Sequence, residues 1–274
     1  MSGPAPLSHL HVDGLAVVRR RPDAVDPERP AVVLVHGAMD RAASFGRTMR
    51  RLGDLDVSAY DRRGYAGSVD AGVATSIAEH AQDLGRVVDL LGVQRVVVVG
   101  HSLGGTVAAQ LSAAGDGRLV ALGAFESPFP LLDDSFDEVG GGAVQVAEQD
   151  GPEAGAEHFY RLMVGDGTWA RLRDRDRQAR RAEGPALVAE LVDLRRRDRA
   201  LDPAVVTTPT LVGRGGVSSA RMRGGAAALE RRLPSARLVD IDAAGHGAHL
   251  THPDEFARYV RAAVALDDPT ASLR

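Results

Sequence analysis

A chain of 274 residues can bury a full hydrophobic core without disulfides or metals, and it suits one large domain or one domain carrying an insertion. It contains no cysteine, lysine or asparagine, and all 33 basic residues are arginine. Disulfides, thiolate metal sites, cysteine nucleophiles, Walker phosphate loops and Schiff-base lysines are thereby excluded. The formal net charge of −4 argues against a nucleic-acid partner. No long apolar run occurs and Met1–Pro6 has no charged-then-apolar leader, so a soluble, cytoplasmic chain with no membrane partner is expected.

The first element is a hairpin. Leu7 to Val12 and Leu15 to Val18 flank Asp13-Gly14, a dipeptide that tolerates the positive φ angles of a tight turn. After a Pro- and charge-rich link, Ala31 to Val35 is an unbroken apolar run, as expected of a strand buried on both faces. Similar runs recur at Val57 to Tyr60, Arg95 to Val99 and Leu119 to Phe125. Between them, Ile77 to Leu91 places Ala81, Leu84, Val88 and Leu91 on one helical face. Strands alternating with amphipathic helices imply right-handed βαβ units, hence an α/β fold with a mostly parallel, twisted sheet and helices on both faces.

After Pro128 the buried strands stop, and the chain to about Ala204 is charged and helical. Alternation returns with Thr210 to Val212, a helix near Ala220 to Arg232, Arg237 to Ile241 and a helix over Pro253 to Val264. The organisation expected is a core of residues 1–127 and 205–274 with an inserted helical segment over 128–204. Within the insert, arginines between 171 and 199 are interleaved with Asp174, Asp176, Glu183, Glu190, Asp193 and Asp198, which predicts a solvated, salt-bridged surface.

Gly100-His101-Ser102-Leu103-Gly104-Gly105 lies between a valine-rich strand and a helix. A serine there must sit on a very tight turn, with its hydroxyl exposed above the sheet and the Leu103 amide aimed at any anion forming beside it. Three further motifs follow the same order as in a known family: His36-Gly37-Ala38 after the first buried strand, Asp61-Arg62-Arg63-Gly64-Tyr65-Ala66-Gly67-Ser68, and Ala244-Gly245-His246-Gly247 late in the chain. Together they make the sequence resemble the α/β-hydrolase superfamily over nearly its whole length. The resemblance implies a nucleophile at Ser102, a base at His246, and oxyanion donors at the amides of Ala38 and Leu103. It also implies that the insert is a helical cap. Family members with an Asp nucleophile, the dehalogenases and epoxide hydrolases, differ at this position. Asp61-Arg62-Arg63 is expected to fix a loop by ion pairing.

The usual family acid is missing. It belongs in the loop Gly213 to Ser219, which has no carboxylate and carries Val217 at the expected place. Glu126, 24 residues after Ser102 at the end of the next strand, is the candidate replacement, since its carboxylate would face the same crevice. A purely structural role for it stays open. His246, His249 and His252, spaced by three, also raise a metal site as an alternative, although no metal is expected.

Phe129, Phe136, Phe159, Tyr160, Met163 and Trp169 in the cap, with Met39 and Phe45 near the oxyanion loop, are candidates to line a substrate pocket. Phe159, Tyr160 and Met163 share one helical face and could equally form the core of the cap. An aromatic content of 4% does not favour a large stacked ligand. The expected activity is hydrolysis of a small to medium carboxylic ester or lactone through an acyl-enzyme, without a cofactor. Thioester or C–C hydrolysis or perhydrolysis on the same serine, and a non-catalytic ligand-binding protein, are the alternatives.

Overall fold

The computed structural model describes residues 6–26, 28–132 and 135–267, without the side chains of 135–139. Eight strands form one sheet: β1 (Leu7–Val12), β2 (Leu15–Arg20), β3 (Ala31–Val35), β4 (Val57–Tyr60), β5 (Val96–His101), β6 (Leu119–Phe125), β7 (Thr210–Gly215) and β8 (Ala236–Ile241). Their order is β1-β2-β4-β3-β5-β6-β7-β8. The β1–β2 and β2–β4 pairs are antiparallel and the rest are parallel. The hairpin turn is as expected, with Asp13 and Gly14 at φ of 49° and 80°.

The helices are α1 (Gly46–Arg51), α2 (Ile77–Leu91), α3 (Leu103–Ala113), α4 (Ser135–Asp150), α5 (Pro152–Val164), α6 (Asp166–Arg171), α7 (Asp174–Ala182), α8 (Gly184–Leu194), α9 (Ala220–Arg232), α10 (Ala248–Thr251) and α11 (Pro253–Val264). Among the described residues, no helix is long and apolar enough to cross a membrane. Alternation along β3 and β5 explains the two-layered core. Val33, Val35, Val96 and Val98 face one side, with Leu84 and Val88 of α2 and Val107 of α3. Val32, Leu34, Val97 and Val99 face the other, with Met49 of α1 and Phe256 and Val260 of α11. Both faces are apolar, so these strands read as unbroken hydrophobic runs.

Between β6 and β7 the five helices α4–α8 form the inserted helical cap, with a small core of Ala143, Val144, Ala156, Phe159, Leu187 and Leu191. Met39 and Tyr65 of the sheet-bearing part enter that same cluster. The cap docks mainly through carboxylates of α8 and the residue before it. Glu183 accepts from Arg41 (3.0 Å) and from the Ala66 amide (3.1 Å), and Asp193 accepts from the Ile77 amide at the start of α2 (2.8 Å). Glu190, fully buried, pairs with buried Arg62. A side chain on Gly64 would lie 2.5 Å from the Ala186 Cβ, so glycine there permits the close approach of α8.

Two expectations about charge therefore part company. Arg62 and Arg63 do fix their loop by ion pairing, Arg62 with Glu190 and Arg63 with Asp83. Glu183 and Glu190, however, are buried against arginines and not part of a solvated surface. Burial opposes the charge on Glu190, but Arg62 and His80 outweigh it and hold its pKa at about 2, against the ordinary value of 4.5. The folded value lies below the unfolded one, so the unfolded chain takes up this proton first as pH falls. The contribution of Glu190 to stability should be complete above pH 4.5 and vanish towards pH 2. Urea unfolding at pH 7 and pH 3 should show the gap between wild type and Glu190→Gln narrowing at the lower pH; a gap independent of pH would contradict this.

Candidate active site

The site is built around the turn from β5 into α3. Ser102 has φ 52° and ψ −129°, a conformation costly for a side-chain-bearing residue. Its amide donates to the Phe125 carbonyl (2.8 Å) and its carbonyl accepts from Gly105 (2.9 Å). Three glycines make room for it. A Cβ on Gly100 would come within 2.2 Å of the Gly104 carbonyl carbon, one on Gly104 within 2.1 Å of the Val35 carbonyl oxygen, and one on Gly105 within 1.9 Å of Ser127 Oγ. Leu103 supplies the first residue of α3, next to the serine.

At the end of β6, Glu126 also has a positive φ (46°). Its amide donates to the Gly213 carbonyl (2.9 Å). Its carboxylate accepts from the Gly215 amide (2.8 Å) and, through Oε2, from His246 Nδ1 (2.7 Å). Burial raises its pKa, but the bonds from His246 and Gly215 more than compensate and leave it below the usual value. The carboxylate is thus kept ionised and aimed at the histidine. Val217, at the usual family acid position, is 68% exposed. His101 Nε2 donates to the His246 carbonyl (2.8 Å), tying the histidine loop to the residue before Ser102.

The His36–Met39 segment lies opposite. His36 is buried; its Nδ1 donates to the Gly37 carbonyl (2.7 Å) and its Nε2 accepts from the Arg62 amide (2.9 Å). Burial first, and the Arg62 charge second, lower its pKa to about 3, so it is neutral. A Cβ on Gly37 would sit 2.8 Å from the Ser102 Cβ, which shows how closely this loop approaches the serine. Met39 has φ 56° and its carbonyl accepts from Arg180 of the cap (2.6 Å).

These segments open onto a cavity of about 530 Å³. Ser102, Leu103, Glu126, His246, Ala38 and Met39 all border it, as does Phe129, which lies just after β6 and packs into the core beneath the sheet, and the cap adds Phe159, Tyr160 and Met163. Phe159 belongs at the same time to the core of the cap. Phe45 and Trp169 are not among the walls. Phe45 is fully buried against Phe256 and His249, on the opposite side of the loop, and Trp169 packs inside the cap against Tyr160 and Arg181. The Phe136 side chain lies outside the described residues. Asp40, Arg180, Met222 and His249 also line the cavity, and no motif pointed to them as pocket residues.

The three histidines spaced by three do not converge on one point. His246 is bonded to Glu126, His249 Nε2 donates to Asp40 (3.0 Å), and His252 lies against Thr251. The described residues that do bring ligand-type atoms within 4.8 Å of one another are Asp40, His101 and His249. His101 Nε2 is already committed to the His246 carbonyl, while His249 and Asp40 are bonded to each other, and that bond is what holds the Asp40 carboxylate ionised despite its burial.

Comparison with known proteins agrees with this architecture. A putative carbamate hydrolase, RutD, of Pseudomonas savastanoi pv. phaseolicola is 29% identical over 217 residues, 75% of this chain and 82% of that protein. Epoxide hydrolase A of Mycobacterium tuberculosis is 34% identical over 128 residues, 45% of this chain and 39% of its own length. An uncharacterised protein of the same organism is 32% identical over 94 residues, 34% of this chain and 28% of that relative, so the match spans under a third of its length. Among solved structures, Est816, described as an N-acyl homoserine lactone degrading enzyme, superposes with TM-score 0.68 at 23% identity, covering 93% of this chain and 99% of its own. The enol-lactonase of Burkholderia xenovorans LB400 gives 0.69 at 20% identity, with 93% and 98% covered. At such identities these structures speak for the fold. The family model described as the alpha/beta hydrolase family matches residues 32–259, and the chain belongs to that family.

Proposed function

We propose that the chain is a serine hydrolase that cleaves a small to medium carboxylic ester or lactone through an acyl-enzyme. The observation that carries this reading is the bond from His246 Nδ1 to Glu126 Oε2, beside a serine held on a strained turn at the floor of the same cavity. A serine hydroxyl needs an adjacent base at neutral pH. With Nδ1–H donating to Glu126, the lone pair of His246 is on Nε2, the tautomer a general base requires.

Ser102 attacks the substrate carbonyl while His246 takes its proton, and the amides of Ala38 and Leu103 hold the oxyanion. The imidazolium, stabilised by Glu126, then protonates the leaving alcohol. A water deprotonated by His246 attacks the acyl-enzyme, and its collapse returns Ser102 and releases the acid. The serine favours ester and lactone chemistry over the epoxide and haloalkane chemistry found elsewhere on this fold, which uses an Asp nucleophile. Two fold neighbours, a lactone-degrading enzyme and an enol-lactonase, agree with a compact cyclic or linear acyl group, as does the largely apolar wall formed by Phe129, Phe159 and Met163.

Hydrolysis of p-nitrophenyl butyrate and of a medium-ring lactone by wild type and Ser102→Ala tests the reading. Wild type should turn over at least one of them, and Ser102→Ala should lose about 10⁴-fold or more in kcat. Retention of activity in Ser102→Ala would overturn the mechanism. Phe129→Ala, in the cavity wall, should shift the preferred acyl length. Trp169→Ala should instead leave that preference unchanged and lower stability by about 3 kcal/mol, as loss of a buried aromatic does. The reverse pattern would show that the pocket is misassigned.

A further inference from the structure

The buried guanidinium of Arg62 does more than dock the cap. Its Nε donates to the His36 carbonyl (3.0 Å) and its Nη2 to the Gly37 carbonyl (3.0 Å). Nη1 and Nη2 together form a forked pair with Glu190 of α8, whose Oε2 also accepts from Tyr65 Oη (2.7 Å) and whose Oε1 lies 2.8 Å from His80 Nε2. Tyr65 covers one face of the guanidinium (5.0 Å) and meets the His36 ring edge-on (5.6 Å). Arg62, Tyr65, His36, His80 and Glu190 are all fully or almost fully buried.

The Gly37 carbonyl is one half of the peptide unit whose other half is the Ala38 N–H. In a planar trans peptide the two point in opposite directions, so whatever fixes the carbonyl fixes the N–H. Here both lone pairs of the Gly37 oxygen are taken, one by His36 Nδ1 and one by Arg62. A charge-assisted donor on the oxygen also polarises the peptide and makes the N–H a stronger donor. The positive charge thus lies behind the peptide, on the far side from any oxyanion bound by Ala38.

We propose that Arg62 is a positioning residue for the oxyanion hole, and that Glu190 couples the hole to the cap by holding Arg62 in place. The proposal rests on the serine-hydrolase reading given above. It explains why a buried ion pair, costly to desolvate, spans two parts of the molecule that are 128 positions apart in sequence. A docked cap holds the Gly37–Ala38 peptide in its donating orientation; a lifted cap removes the anchor.

The test removes both charges together, in Arg62→Met/Glu190→Leu, so that no unpaired charge is left buried, and compares it with Glu190→Gln alone. The readouts are kcat and KM for p-nitrophenyl butyrate, the affinity for a trifluoromethyl ketone that forms an oxyanion on Ser102, and Ser102 labelling by a fluorophosphonate. The double variant should lose about 10- to 100-fold in kcat, with KM within about threefold of wild type and ketone affinity falling in parallel, the pattern of a lost oxyanion contact. Glu190→Gln should show the same parallel loss, severalfold, and carries the test should the double variant not fold. Variants that melt earlier yet keep wild-type kcat and ketone affinity overturn the proposal and leave a merely structural pair. A wild type that neither hydrolyses the ester nor is labelled overturns the underlying reading as well.

Discussion

Three stretches of main chain meet at the carboxyl end of β5, and the rest of the site is arranged around that crossing. The end of β3, the start of α3 and the last turn of β5 approach so closely that Gly100 and Gly104 have no room for a methyl group. The approach forces Ser102 into its left-handed conformation, which costs about 1–3 kcal/mol and is sustained only by the packing around it. Five non-glycine residues among those described have positive φ: Asp13, Met39, Ala66, Ser102 and Glu126. Three of them, Met39, Ser102 and Glu126, border the same cavity. Strain is concentrated where the serine, the oxyanion loop and the carboxylate face one another.

The carboxylate beside His246 comes from the end of β6 and not from the loop after β7. β6 and β7 are neighbours, about 4.8 Å apart at the spacing of a sheet. A group moved from the end of β7 to the end of β6 starts farther from the histidine loop after β8, and glutamate is longer than aspartate by one methylene. The loop after β7 still takes part in the arrangement, because the Gly215 amide helps hold Glu126 ionised. Val217, in the same loop, faces solvent.

Much of this was legible in the sequence. Strands buried on both faces announce themselves as unbroken apolar runs, and β3, β4 and β6 have the expected bounds. The tight turn at Ser102 is encoded by glycines whose spacing follows from local crowding. The failures have a common cause, which is that sequence reports periodicity but not which neighbour a face meets. Phe45 and Trp169 are apolar and near the right loops, yet one packs under α11 and the other inside the cap. Glu183 and Glu190 sit among arginines and resemble a solvated helix. Their structural partners, Arg41 and Arg62, come from the other part of the chain. The short elements α1 and α10 carry no period long enough to read.

The central claim is that Glu126, and not a residue of the Gly213–Ser219 loop, orients His246. Its most direct test is the steady-state kinetics of Glu126→Gln, which keeps the shape and the Gly215 bond while removing the charge that fixes the tautomer. The account predicts a fall in kcat of about 10²- to 10⁴-fold with KM close to wild type. A kcat within about threefold of wild type would contradict it, and would mean that His246 acts without this carboxylate.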